Sequence, residues 1–473
     1  MNPRIKELLS NTMLFTIANM GSKILVFLMV PLYTAVLTTE EYGVSDMVLI
    51  TAQMLFPLLT VMISEAVLRF CFIKDVETKD VFTIGIRFTA KSILICLIVS
   101  AVFYFLPFFK PLGGYVFFIP LMFATHALVN LFHKFARGID KVKVSAYGGL
   151  LSTSIVIALN LFFLLVLKVG VTGYLLAYFL ADVVTVFYMA VKCNARSYIG
   201  DTLNSTLRSE MLKYSVPLVP NSLSWWALSS VNRYIMLAWV GVSAVGIYSA
   251  TLRIPSILTV LSDIFAQAWL LSALKNYGSD ESKQFIKAMH NRIFSLLIVM
   301  TSGIILLSEP LAKLLLSGEF SSYWTLIPYL FISVFWGALV GFLGSIFSAE
   351  RKNTMQFVST VIGAVVSILI TVLFLRKYGV IVVAIATWAA YYVIWLIRRI
   401  AVRKYIDIGY GEIYSSLQGV ILLLESILVG KGLYLYSGLC LILLMLLNYQ
   451  NVWQIICFAF NETTKFCRTK IKR

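Results

Sequence analysis

Long apolar runs alternate along this chain with short polar gaps, most of them basic. Runs such as 93–106, 155–167 and 361–375 hold no charged residue. A bilayer core about 30 Å thick is crossed by about 20 mostly apolar helical residues. The strands of a membrane barrel would instead alternate apolar and polar positions, and these runs do not. The spans are therefore expected to be helices, which satisfy their own backbone polar groups. The pattern predicts helices at 12–37, 41–70, 83–106, 115–136, 144–167, 171–192, 213–240, 244–272, 288–308, 323–348, 354–376, 379–401, 414–430 and 433–459. The expected fold is an all-α polytopic membrane protein of about fourteen spans. The thirteenth is short in its apolar run, 417–429, and carries Glu425.

The gaps give an orientation. Of the 39 Lys and Arg residues, Lys23, Lys91, Arg233 and Arg253 lie well inside spans, and the others are counted with the gap at the span end they stand nearest. Only Lys110, Lys168, Lys313, Arg376, Lys377 and Lys431 fall in odd-numbered gaps. The rest sit at the termini and in even-numbered gaps, as in Lys134/Arg137/Lys141/Lys143 and Arg398/Arg399/Arg403/Lys404. Positive residues mark cytoplasmic loops, so both termini are expected in the cytoplasm, as an even span number requires. On this reading the net charge of +17 reflects topology, and nucleic acid is not an expected partner.

Pairs of turns recur at an offset of about 200 residues. Leu37 to Ser45 matches Val240 to Tyr248 in placing a short outer turn before a glycine and an apolar residue. Lys168-Val169-Gly170-Val171 matches Lys377-Tyr378-Gly379-Val380. Between them lies the long polar stretch 194–211. The expected organisation is a six-helix lobe at 1–193, a cytoplasmic linker at 194–212, a second six-helix lobe at 213–405, and two further helices with a basic tail at 406–473. Repeats of this kind suit transporters, in which two similar bundles rock about a central site.

Enzyme chemistry finds no foothold. No Gly-rich phosphate loop, HExxH or GxSxG occurs, and the outer gaps are short, the longest at 309–322. The cysteines Cys71, Cys96, Cys193, Cys440, Cys457 and Cys467 form no CxxC pair, so neither disulfides nor a metal site is expected. No cofactor and no cleavable signal are expected either. His126 and His133 share a helix face, which is read as packing.

The first span carries Asn11 and Gly21-Ser22-Lys23, then Pro31-Leu32-Tyr33 and Thr39-Glu40-Glu41-Tyr42-Gly43. Ala66-Val67-Leu68-Arg69-Phe70 ends the second span, and Val245-Gly246-Ile247-Tyr248-Ser249-Ala250 with Arg253 opens the eighth. In these motifs residues 5–405 resemble the polysaccharide branch, the O-antigen and capsule repeat-unit flippases, of the multidrug/oligosaccharidyl-lipid/polysaccharide exporter superfamily. The two extra C-terminal spans are similar to the arrangement in lipid II flippases. The resemblance implies a flippase in the bacterial cytoplasmic (inner) membrane that serves cell-surface polysaccharide biosynthesis by alternating access. Its implied partners are a polyprenyl-diphosphate oligosaccharide, the lipid bilayer, a coupling proton or sodium ion, and polysaccharide polymerase machinery. A multidrug cation antiporter of the same fold and a lipid II flippase stay open as alternatives, as do a membrane-embedded enzyme and an assembly scaffold.

Charges inside the spans bear on that choice. An ionised side chain at the bilayer centre costs about 2.5–3.5 kcal/mol on insertion scales, so each should face a cavity or a partner. Lys23, Arg233, Arg253, Arg69 and Lys91 are the candidates for a headgroup cavity, because Arg and Lys are the natural donors to a diphosphate. A cation antiporter would call for acidic or apolar walls. Asp182, Asp263 and Glu65 are the candidates for ion coupling, with Glu425 a further buried acid. Glu65 and Arg69 stand one turn apart and are expected to pair. Trp225 and Trp226 are candidates for sugar stacking, and the span amides Asn19, Gln53, Asn130, Asn160, Asn221, Asn232 and Gln267 for hydroxyl binding or interhelical bonds.

Overall fold

A computed structural model describes residues 21, 24–200, 204–259, 262, 280–350, 352–404, 406 and 408–471. Lys23, Asn11, Asn19, Asp263 and Gln267 lie outside the described residues. Among the described residues every regular element is a helix, and eleven helices are long and apolar enough to cross a membrane. They cover the predicted spans 2–6 and 9–14. The first and eighth predicted spans extend beyond the described residues. The seventh forms as Leu218–Trp239 but carries Asn221, Asn232 and Arg233, and it is not among the eleven.

The helices in chain order are α1 (Val30–Val36), α2 (Thr39–Thr60), α3 (Ile63–Phe70), α4 (Thr78–Phe105), α5 (Phe118–Gly138), α6 (Val142–Asn160), α7 (Gly170–Cys193), α8 (Ser205–Ser215), α9 (Leu218–Trp239), α10 (Val242–Arg253), α11 (Asp280–Leu306), α12 (Ser308–Leu315), α13 (Ile327–Ala349), α14 (Asn353–Tyr378), α15 (Ile381–Val402), α16 (Glu412–Gly430) and α17 (Tyr434–Ile471). They form two compact units. One comprises 1–253 with 315–320 and 375–379; the other holds the remainder.

In the first unit α2 packs against α10, α5 and α9. It starts at a reciprocal cap: the Glu41 N–H donates to the Thr38 hydroxyl at 3.2 Å and the Thr38 N–H to the Glu41 carboxylate at 2.9 Å, which satisfies two of the orphan donors of a helix start. The predicted span 41–70 is not one helix. Pro57 lies in the last turns of α2, and Val61 and Met62 follow at φ 50° and 55°. Proline withholds an N–H from the helix ladder, and the left-handed region costs an L-residue about 1–2 kcal/mol. The segment resumes as α3, whose Val67 and Phe70 join a core with Phe82, Leu131 and Phe135 from α4 and α5 and Met211 from α8. α4 turns Leu94, Ile98 and Val102 outward, as a lipid-facing helix must.

In the second unit α13 and α15 pack along their length, and α11 lies against α13, α16 and α17. Trp336 and Trp395 meet at 4.5 Å between ring centroids in the core. Arg398 and Arg399, read from the sequence as surface charges of an inner gap, are buried at 0% and 1% exposure. The reason is the length of α15, which continues past them to Val402. Arg398 donates to the carbonyls of Val340 (2.9 Å) and Gln356 (3.1 Å) and to the hydroxyls of Ser359 (2.9 Å) and Thr360 (3.0 Å), stapling α13, α14 and α15. Arg399 and Arg403 both reach Glu412 at the start of α16.

Candidate functional site

The site builds from the place where α2 crosses α10. Two glycines meet there: a Cβ on Gly43 would overlap the Val242 carbonyl, and one on Gly246 would overlap the Thr39 carbonyl. Only glycine permits the two backbones to come this close. Gly43 and Gly246 stand 203 positions apart, the offset of the repeated turns. One turn further along, Asp46 and Ser249 stand at the same offset and bond directly, the Ser249 hydroxyl donating to Asp46 Oδ2 at 2.7 Å.

That pair receives Arg233 from α9. Its Nε lies 3.1 Å from Asp46 Oδ2 and 3.1 Å from Ser249 Oγ, and its Nη1 donates to Ser230 Oγ at 3.3 Å. The guanidinium also stands 5.7 Å from the centre of the Tyr248 ring. Asp46 and Arg233 are both buried, at 6% and 9% exposure. A buried ion is tolerable when it is paired and its remaining valences are hydrogen-bonded, and this geometry meets both conditions.

Arg253, at the end of α10, hydrogen-bonds Tyr42 and interacts electrostatically with Tyr174 and Tyr178 and, most weakly, with Asp46. The tyrosines form a chain of ring contacts: Tyr33 with Tyr174 at 5.0 Å, Tyr174 with Tyr178 at 5.1 Å, and Tyr42 with Tyr174 at 6.5 Å. The cluster thus sets the Arg233 guanidinium against the carboxylate and the Arg253 guanidinium among phenol rings. Its chemistry is rich in N–H and O–H donors, which suits a polyanionic group.

Of the predicted site residues, the structure brings Arg233 to Asp46 and Arg253 to the tyrosines. Asp46, which holds Arg233, lies one residue beyond the outer-turn motif that ends at Ser45, and no sequence expectation covers it. Its signal was present: it occupies the position equivalent to Ser249 in the repeat. The other predicted residues have local settings. Arg69 is exposed and its guanidinium lies 4.7 Å from the Tyr214 ring. Lys91 is exposed on α4. Glu65 pairs with Lys134 of α5 at 2.6 Å, and not with Arg69 as expected, because α3 packs against α5. Asp182 accepts from Ser152 at 3.4 Å. Trp226 donates to the Ile50 carbonyl at 3.2 Å and meets Tyr234 edge-on. His126 bonds Asn130 and His133 bonds Ser145.

Residues 8–270, more than half of the chain, match the family described as polysaccharide biosynthesis protein. No curated protein sequence matches the chain. Among solved structures, the lipid II flippase MurJ in an inward closed conformation is similar, with a TM-score of 0.68 at 17% identity over 94% of this chain and 100% of that one. An inward-facing multidrug resistance MATE family transporter of the MOP superfamily follows with a TM-score of 0.57 at 15% identity, over 81% of this chain and 96% of that one. A MOP superfamily transporter from Pyrococcus furiosus, described by the reverse polarity of its binding pocket, gives a TM-score of 0.50 at 16% identity over 83% of this chain and 94% of that one. At these identities the likeness is one of fold.

Proposed function

The chain belongs to the polysaccharide biosynthesis protein family of the multidrug/oligosaccharidyl-lipid/polysaccharide exporter superfamily, and on that premise we propose that it is a flippase for a polyprenyl-diphosphate-linked oligosaccharide. It acts in the bacterial cytoplasmic membrane, for cell-surface polysaccharide biosynthesis. The lobes 1–193 and 213–405 alternate access, and 406–473 adds two helices.

The observation that carries this reading is the Arg233–Asp46–Arg253 cluster. A diphosphate has about two negative charges, and planar guanidinium forks match its oxygens. Arg253, set among the tyrosines, is assigned to the headgroup together with Lys23 from the first span. The tyrosines around Arg253 supply flat faces and hydroxyls for the sugar nearest the diphosphate. Asp182, Asp263 and Glu65 remain the candidates for a coupling proton or sodium ion.

The test is translocation of a fluorescent polyprenyl-diphosphate oligosaccharide by the reconstituted protein. Arg253→Ala is expected to reduce the rate at least tenfold and Lys23→Ala to reduce it as well. Translocation that neither substitution slows sinks the site assignment. Extrusion of cationic dyes without lipid translocation favours the antiporter. The similarity to the solved lipid II flippase over nearly the whole chain supports a second reading, so lipid II belongs in the same assay as a competing substrate.

A further inference from the structure

Glu425 of α16 is fully buried, and the polar groups recorded at its carboxyl among the described residues are neutral. The Ser302 hydroxyl of α11 donates to Oε2 at 2.6 Å. Ser437 of α17 stands at the same carboxyl. Thr301, Ser302, Ser437 and Glu425 are each 0% exposed. Glu425 Oε1 and Ser437 Oγ are both buried and have no hydrogen-bond partner among the described residues.

The helix stretches level with Glu425 supply no cation; Arg292, His290 and Lys287 of α11 lie ten or more residues before Ser302. Residues 293–306 of α11, α13, α16 and the Tyr434–Gln454 part of α17 contain neither Lys nor Arg. The titratable group facing Glu425 is the Cys440 thiol of α17. The facing residues of α11 are hydroxyls, and the only titratable side chain of α13 is Tyr329. An ionised carboxylate here would need donors on both oxygens and a counter-charge. A neutral acid needs only one donor and one acceptor, and Ser302 and Ser437 are placed as that pair.

We propose that Glu425, framed by Ser302 and Ser437, is a proton-binding site of the C-terminal helix pair, occupied as a neutral carboxylic acid at neutral pH. Loading adds a proton from water to Oε1, whose O–H then donates to Ser437 Oγ while Ser302 continues to donate to Oε2. Release returns the proton to water. The route is short: Glu425 lies five residues before the end of α16 and Ser437 three after the start of α17, so the site is about 7–8 Å along the helix axis from the turn that joins them. The site would give the transporter proposed above a proton to couple to, but its detection needs no transport.

Infrared spectra of the full-length protein in lipid nanodiscs test it. A carboxylic-acid C=O band is expected at neutral pH that shifts on deuteration and is lost in Glu425→Gln. Ser302→Ala should move that band to higher frequency, since its C=O loses a donor. Superimposable spectra of wild type and Glu425→Gln in this region overturn the proposal. If Glu425→Gln does not fold, a band unmoved by Ser302→Ala overturns it instead. Disappearance of the band when sodium chloride replaces choline chloride also overturns it, because the occupant is then a metal cation.

Discussion

Among the described residues, two places bury an acid between apolar helices, and they partner it in opposite ways. At the α2–α9–α10 crossing, Arg233 stands 3.1 Å from the Asp46 carboxylate and Ser249 fills a further valence. In the α11–α16–α17 bundle, Glu425 meets hydroxyls. The first arrangement stores a pair of opposite charges and holds three helices by it. The second holds its helices by packing and keeps a group that can be neutral. A buried acid on an apolar helix is thus two different things, and the residue that faces it decides which.

Substitutions can break this contrast. Asp46→Ala leaves the Arg233 guanidinium buried and unmatched, and a loss of about 3–5 kcal/mol is expected, read as a lower unfolding midpoint in detergent. Asp46→Ala combined with Arg233→Met should recover most of it, since removing both ions removes the desolvation cost; costs that simply add would show that the pair is not the reason. Gly246→Val forces a side chain into the Thr39 carbonyl, with an expected loss of about 1–3 kcal/mol. Gly43→Val added to it should cost less than the sum, because residues in contact are coupled. Arg376→Ala removes a guanidinium lying 4.6 Å from the Trp239 ring at an exposed position, for about 0.5–1 kcal/mol. Glu425→Gln is expected to have the smallest effect, within about 0.5 kcal/mol, because an amide replaces a neutral acid with its hydrogen-bonding shape nearly unchanged. A loss at Glu425→Gln as large as that at Asp46→Ala would erase the distinction.

The spans were legible because a bilayer imposes continuous apolar runs, and eleven of the fourteen predicted spans recur as helices of sufficient length and hydropathy. The break at Val61–Met62 was not legible. Neither residue type favours the left-handed region, and Pro57 alone predicts a kink, not a division of the helix. Arg398 and Arg399 were misread for a related reason: a charge near a span end is usually at the surface, and only the tertiary acceptors from α13, α14 and the 410–412 segment make burial possible. Glu65 found Lys134 in place of its helix neighbour for the same cause. At the candidate site, Arg233 and Arg253 stood out as cations in apolar surroundings, whereas Asp46 became visible only through a partner 203 positions away.

The glycine crossing has a consequence for how such a chain can be assembled. Gly43 on Gly246, Thr39 against Gly246 and Val242 against Gly43 are the contacts of a self-complementary interface, in which a contact made from one half is repeated by the equivalent positions of the other. Two identical half-chains could make that interface. They could not make the bond beside it, since a dimer would place aspartate on aspartate or serine on serine where Asp46 meets Ser249. Covalent fusion of the halves is what permits one acid and one hydroxyl at a position of near symmetry, and with them a single, directional place for Arg233.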